Sequence, residues 1–344
     1  MKQPFLQTKN LRKIYPGVTA LDEANIDFFS GEVHALLGEN GAGKSTLCKL
    51  ISGAEQPTSG QIVIGAESFD GFDPISAKAA GVSMVYQEIS LIPSLSVYEN
   101  FFLGKEKVNG PFVDKAYMIQ ETKKALSAFG VEIDPSAKVR TLSVAYQQLV
   151  EICKIVYENA KIIILDEPTA PLTNDEVERL FQIVQELKRR NVVVIYISHR
   201  LEELFRLSEK VTVMRDGHVI KTLETAKTDK NELVRLMVAR ELGDSFPAKE
   251  HASSGEIVMT VENLTTEKLK GVSFALHKGE VLGIGGLVGS GRTETLRAIF
   301  GADEKLSGQI TIHNKPLNIQ YPDQAIRAGI GFISEDRKKD SLLM

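Results

Sequence analysis

The chain has no apolar run long enough to cross a membrane, since the longest, such as residues 192–197, fall far short of the ~20 residues a bilayer requires. Its N-terminus, MKQPFLQTKN, lacks the apolar core of a signal peptide. Any membrane association is therefore expected to go through a partner. An excess of charge is missing too: the formal net charge of −4 gives no broad attraction to nucleic acid or anionic lipid. Cysteine is scarce. Cys48 and Cys153 lie far apart in segments that read as helical, so both are expected to be small buried apolar residues rather than a disulfide or metal pair. That usage fits a reducing cytosol. His34, His218, His251, His277 and His313 show no metal-like spacing. What remains is an ordinary globular composition, 43% hydrophobic and 25% charged over 344 residues, with length for two domains.

Those two domains are copies of one another. Gly38 and Gly286 open similar glycine-rich stretches 248 positions apart, GENGAGKST and GLVGSGRTE. The same offset pairs Gly31-Glu32-Val33 with Gly279-Glu280-Val281, Ser59-Gly60-Gln61-Ile62 with Ser307-Gly308-Gln309-Ile310, Gly81-Val82 with Gly329-Ile330, and Gln87 with Glu335. Agreement at so many turns without a gap marks an internal repeat. Upstream the offset becomes 253, from Asn10-Leu11 to Asn263-Leu264, so the second copy lacks five residues; the deletion is expected to remove the loop that holds Tyr15. Residues 1–243 form the first copy. Residues 244–256, DSFPAKEHASSGE, read as a linker, and 257–344 hold the start of the second copy.

In the first copy, short apolar segments (32–37, 161–165, 192–197 and a hairpin at 211–220 around Asp216-Gly217) alternate with helical stretches, which predicts an α/β core on a mainly parallel sheet. Residues from about 94 to 157 read as a helical subdomain inserted in that core.

The chemistry gathers at the ends of these strands. Gly38, Glu39, Asn40, Gly41, Ala42, Gly43, Lys44, Ser45 and Thr46 follow a strand and open a helix. In that context glycines turn backbone N–H groups around a β-phosphate, Lys44 neutralises β and γ oxygens, and Ser45 offers a hydroxyl to Mg²⁺. A glycine turn with an incidental lysine is the bland alternative. Asp166 and Glu167 end the apolar strand 161–165. Asp166 is placed to hold Mg²⁺ and Glu167 to polarise the water that attacks a γ-phosphate; the bland alternative, that the pair caps the helix beginning near Asn174, is weakened by Pro168. His199 lies just past strand 192–197, where it reaches the same phosphate. Gln87, after 82–86, is a neutral group able to touch both metal and water. Tyr15 offers a ring for an adenine face.

One more stretch completes a recognisable set. Residues 142–148, LSVAYQQ, precede a helix about twenty residues upstream of Asp166. With the phosphate loop at 38–45, Gln87, the strand and carboxylates at 161–167, and His199, the order resembles the ATP-binding cassette family over the whole chain. The resemblance implies a P-loop NTPase of that type, with antiparallel strands on the N-terminal side, binding ATP and Mg²⁺. It implies that Ser143 and the helix amides behind it face the γ-phosphate held by another cassette, so that two cassettes sandwich ATP head to tail. The LSVA-x-QQ form, the PGVTAL segment and the fused second copy are similar to the tandem ATPases of bacterial ribose, galactose and xylose importers. Tyr146 stands where glutamine is more usual.

The second copy reads as degenerate. Gly286, Gly291, Arg292 and Thr293 line up with the phosphate loop, but Arg292 replaces lysine, Glu335 replaces Gln87 and the Tyr15 segment is missing. A planar guanidinium fits a compact lysine pocket poorly, so nucleotide binding without efficient hydrolysis is expected there. The repeat offset leaves the chain roughly 150 residues short of two cassettes, which reads as a truncated product or an incomplete gene record. The one signature present cannot close over Lys44 of its own unit, so slow hydrolysis that rises with protein concentration is expected, and the partial copy is expected to leave apolar edges uncovered.

The function implied is the energy-coupling ATPase of a sugar importer, peripheral on the cytoplasmic face of the cell membrane. Its partners would be transmembrane permease subunits, a second cassette in cis or by homodimerisation, and indirectly a periplasmic sugar-binding protein, with no nucleic acid. A soluble tandem-cassette ATPase acting on ribosomes or DNA, and an ATP-binding fragment without turnover, are the competing functions.

Overall fold

The structure is a computed structural model that describes residues 3–86, 90–170, 172–238, 255–286 and 289–334. Contacts divide the chain into Met1–Gly243 and Asp244–Met344. Most of the expected linker lies outside the described residues.

Six strands form the central sheet of the first unit, in the order Val82–Val85, Ile162–Asp166, Val193–Ile197, Val33–Leu37, Lys210–Arg215, His218–Glu224. The first five are parallel, and the last returns antiparallel through a turn at Asp216-Gly217. Both turn residues have positive φ, 50° and 81°, as a tight hairpin of this kind requires. The inner strands are mostly apolar because both faces are covered, with His34 and Thr212 among the few buried polar exceptions. Their side chains alternate: Val33, Ala35 and Leu37, Ile163 and Leu165, and Val194 and Tyr196 pack on one side with helices Val144–Tyr157, Asn174–Arg189 and Leu201–Leu207. Leu36, Ile162, Ile164, Val193, Ile195 and Ile197 pack on the other, with helix Lys44–Ile51 and a second sheet. That second sheet is antiparallel, in the order Val18–Phe28, Leu6–Tyr15, Ser59–Ile64, Glu67–Phe69. The expected mainly parallel α/β core, with antiparallel strands on its N-terminal side, is thus present.

Tyr15 departs from expectation. It is the last residue of strand Leu6–Tyr15, paired with Val18 across a turn of two residues, and not part of a loop. Between residues 94 and 157 the helices Val97–Phe101, Lys115–Ser127 and Val144–Tyr157 also enclose a small hairpin, Val108–Asn109 with Phe112–Val113, too short for any periodic signal. Cys48 and Cys153 are buried and free, inside helices Lys44–Ile51 and Val144–Tyr157, and burial raises both thiol pKa values. His34 in the central strand is buried with Nε2 2.7 Å from the Thr212 hydroxyl. Burial, and behind it the Lys210 charge, push its pKa down to about 3, so it is neutral and structural.

The second unit builds the antiparallel sheet again, Val272–His277, Ile257–Thr265, Ser307–Ile312, Lys315–Leu317, with helices Arg292–Phe300 and Pro322–Arg327. Its core holds Val261, Leu264, Leu269, Ala298, Ile299 and Ile310. Among the described residues, the counterparts of strands Val33–Leu37 and Val82–Val85 do not form. Residues 281–286 and 331–334 are in no strand, and Val281 is 98% and Ile333 97% exposed, where their equivalents Val33 and Val85 are wholly buried. In the first unit those equivalents are held by ladders to Val193–Ile197, Lys210–Arg215 and Ile162–Asp166. Among the described residues the second unit has no such partners, and an isolated strand has nothing to bond.

Candidate active site

Three adjacent parallel strands deliver their C-terminal ends to one edge, the usual ligand edge of such a sheet. Strand Val33–Leu37 leads into the glycine loop, Ile162–Asp166 into Glu167, and Val193–Ile197, which lies between them, into Ser198 and His199. Asp166 sits opposite Ile197 in the ladder, and the Glu167 N–H donates to the Ile197 carbonyl at 3.0 Å. The edge opens on a cavity of 510 Å³ lined by residues 40–46, Glu167, Val18, Thr19, Ala20 and Asp216.

The loop's shape depends on two glycines in particular. Gly43 caps helix Lys44–Ile51 at φ 98°, and a Cβ there would meet the Ala20 carbonyl oxygen at 2.7 Å. At Gly38 a Cβ would lie 2.3 Å from the Met214 carbonyl oxygen. Lys44 is buried, its Nζ donating to the carbonyls of Gly38 at 2.7 Å and Glu39 at 3.0 Å. Burial lowers its pKa from the ordinary lysine value, against the opposing pull of the Glu167 and Asp166 carboxylates. Asp166 is shifted the other way. Burial and then the Glu167 charge raise its pKa, while Lys44 and His199 hold it down. Ser45 is exposed at the start of the helix.

Glu167 carries its side chain on a left-handed backbone, φ 50°, uncommon for a residue other than glycine. One carboxylate oxygen lies 2.5 Å from His199 Nε2. The helix-cap alternative for Asp166 and Glu167 fails, because helix Asn174–Arg189 is closed by Glu176, whose carboxylate accepts from the Thr173 N–H and hydroxyl, both at 2.8 Å.

Not every expected residue joins this cluster. Tyr15 does not line the cavity; the Lys13 ammonium lies 4.9 Å from its ring centroid. Gln87 and Glu335 lie outside the described residues. Ser143 is exposed at the N-terminus of helix Val144–Tyr157, its Oγ 3.3 Å from the Tyr146 N–H, and is absent from the cavity wall. Tyr146 turns back into its own unit, where its hydroxyl accepts from Arg179 at 3.3 Å. In the second unit Gly291 caps helix Arg292–Phe300 at φ 88°, much as Gly43 does, but Arg292 and Thr293 are exposed. No local pattern marks Val18, Thr19, Ala20 and Asp216 as walls of the cavity, because they come from two hairpins distant in the chain. Nor does any pattern mark Glu203, a buried carboxylate that accepts from the Thr169, Tyr196 and Ser198 hydroxyls behind the site.

The sequence profile described as "ABC transporter" matches residues 21–170 and 269–343. A ribose import ATP-binding protein of Rubrobacter xylanophilus is 48% identical over 343 residues, covering 99% of this chain and 69% of that protein. Another ribose import ATP-binding protein, from Clostridium tetani, is 43% identical over 346 residues, covering 100% and 68%. The chain thus spans about two thirds of the length of these relatives. Among solved structures, a nucleotide-free ATP-binding cassette from an ABC transporter superposes with a TM-score of 0.60 over 69% of this chain and 96% of that one, at 24% identity, a likeness of fold. With the phosphate loop, the paired carboxylates and the histidine already gathered at one sheet edge, the chain belongs to the ABC transporter family as an ATP-binding cassette ATPase.

Proposed function

We propose that this protein is the ATP-hydrolysing subunit that drives a sugar importer, of the ribose type for which its relatives are named. The observation that carries the reading is the cavity that joins residues 40–46 to Glu167, beside Asp166 and His199. In this reading the backbone amides of the loop and the Lys44 ammonium bind the β- and γ-phosphates of ATP. Glu167 orients the attacking water and takes its proton, and His199 steadies that carboxylate and contacts the γ-phosphate. Tyr15 is assigned to the adenine side.

No group of three or more His, Cys, Asp or Glu able to hold a metal by itself occurs among the described residues. The hydroxyl of Ser45 and the carboxylate of Asp166, with Gln87, suit Mg²⁺ that arrives on the nucleotide, since that ion needs few protein ligands beside phosphate oxygens and water. Bound there, it would neutralise phosphate charge.

Residues 1–243 are assigned to a first cassette, with the helical insertion near 94–157, residues 244–256 to a linker, and 257 onward to a second cassette that keeps the loop but binds nucleotide without efficient turnover. Ser143 and the amides of its helix complete the site of another cassette, in cis or in a second copy of the chain. No described helix is long and apolar enough to cross a membrane. The import role for which the relatives are named supports assigning the protein to the cytoplasmic membrane face, through permease subunits. Affinity purification from membranes of the source cell tests this. Permease subunits should accompany the protein, with ATPase activity that rises when a sugar-loaded periplasmic binding protein is added; recovery with ribosomes or DNA instead would contradict the assignment.

A further inference from the structure

Helix Leu201–Leu207 begins two residues past His199 and buries a carboxylate, Glu203, that the roles above do not use. One oxygen of Glu203 accepts three hydroxyl hydrogen bonds: from Ser198 at 2.8 Å, Tyr196 at 2.9 Å and Thr169 at 3.1 Å. All three partners are buried. Ser198 directly precedes His199, and Thr169 stands two residues after Glu167. A single oxygen therefore ties together the two segments that carry the carboxylate and the imidazole. The Ser198 oxygen in turn accepts from the Arg200 N–H at 3.0 Å, which closes the turn around His199. Tyr196 remains a donor, because burial and the Glu203 charge raise its phenol pKa.

We propose that Glu203 is a positioning residue for ATP hydrolysis, clamping the Thr169 and Ser198 segments so that Glu167 and His199 stay in register at 2.5 Å. The proposal rests on the roles assigned above to Glu167 and His199. Glu167 needs such a clamp. Its left-handed backbone is strained and persists only where the surroundings fix it; the Ile197 carbonyl holds its N–H at 3.0 Å, and its own carbonyl is held by a local turn from the Ala170 N–H at 3.3 Å, within the segment that Thr169 anchors. A buried carboxylate with several donors gives a rigid anchor, since leaving any of them unpaired is costly. Glu203 itself does not line the phosphate cavity, so its effect should fall on the chemical step and not on nucleotide affinity.

Kinetics of Glu203→Ala and Glu203→Gln in the full chain, with ATP affinity measured alongside, test this. The expected kcat for Glu203→Ala is about tenfold or more below wild type, with KM and the ATP dissociation constant within about threefold, because small misplacements of reacting groups act on the transition state. Glu203→Gln should lie in between, since its amide oxygen still accepts. In the double variant Glu167→Gln with Glu203→Ala, turnover should be no slower than in Glu167→Gln alone, there being no carboxylate left to position. Unchanged kcat in Glu203→Ala would overturn the proposal. So would a loss that parallels the loss of ATP affinity, or one that adds in full to that of Glu167→Gln. Should the alanine variant fail to fold, the glutamine variant decides by the same split between kcat and KM. Wild-type turnover by Glu167→Gln alone would instead remove the reading of Glu167 on which the proposal rests.

Discussion

Glu167→Gln should hold ATP and stop turning it over. The amide keeps the size and shape of the carboxylate, and its oxygen can still accept a hydrogen bond from His199, 2.5 Å away in the wild type. It cannot take a proton or orient water by charge. Loss of a general base lowers turnover by about 100-fold or more, while the loop and Lys44, which bind the phosphates, are untouched. Gel filtration with labelled ATP should recover nucleotide on the variant as ATP, and phosphate release should fall to the low residual rate that survives loss of the base. Hydrolysis at the wild-type rate would move the role to another group. The neighbouring Asp166 is no ready substitute. Its carboxylate is not among the groups that line the cavity, whereas that of Glu167 is.

Lys44→Ala should act one step earlier. The ammonium donates to the carbonyls of Gly38 and Glu39, within the loop to which the β- and γ-phosphates are assigned. Hydrogen bonds from a charged donor to phosphate contribute about 1.5–3 kcal/mol each. Two of them correspond to an affinity loss on the order of 100-fold or more, beyond ready detection by calorimetry. The alanine also takes from the Gly38 carbonyl its lysine donor, while the Glu39 carbonyl keeps the Ala42 N–H at 3.1 Å. Arginine at the same position is expected to restore little, for the reason given for Arg292: a planar fork does not replace a compact ammonium in a buried pocket. An unchanged dissociation constant for Lys44→Ala would contradict the assignment of the loop.

Much of the site was legible in the sequence because each part is local. A phosphate loop is written in nine consecutive residues. Strands covered on both faces read as apolar runs, and the residue after each run is delivered to the ligand edge by the parallel topology, which is why Asp166, Glu167 and His199 could be placed beside Lys44. Features that depend on distant pairing were not legible. Val18–Phe28 reaches the cavity only because its hairpin folds over the loop, and Asp216 only because its turn bonds there: the Gly217 N–H donates to the Ala42 carbonyl at 3.2 Å. Glu203 collects a threonine from one segment and a tyrosine and a serine from another, residue types with no motif to announce them. The second unit teaches the same point in reverse. Its residues 281–286 repeat the pattern of a central strand, yet they form none, because a strand exists only with neighbours to bond.

The central claim is that ATP held by Lys44 and Glu167 of one cassette is hydrolysed when Ser143 of another closes over it. Residues 142–148 are the one signature sequence in these 344 residues, and Ser143 is exposed, away from its own unit's cavity. The direct test mixes two variants, Lys44→Ala, which cannot hold ATP but keeps its signature, and Ser143→Ala, which holds ATP but lacks the hydroxyl of the signature. Each alone should be nearly inactive, and the mixture should regain ATPase activity that rises with protein concentration, since only the mixed pair contains one complete site. A mixture no more active than its components, alongside a wild-type rate independent of concentration, would contradict the account.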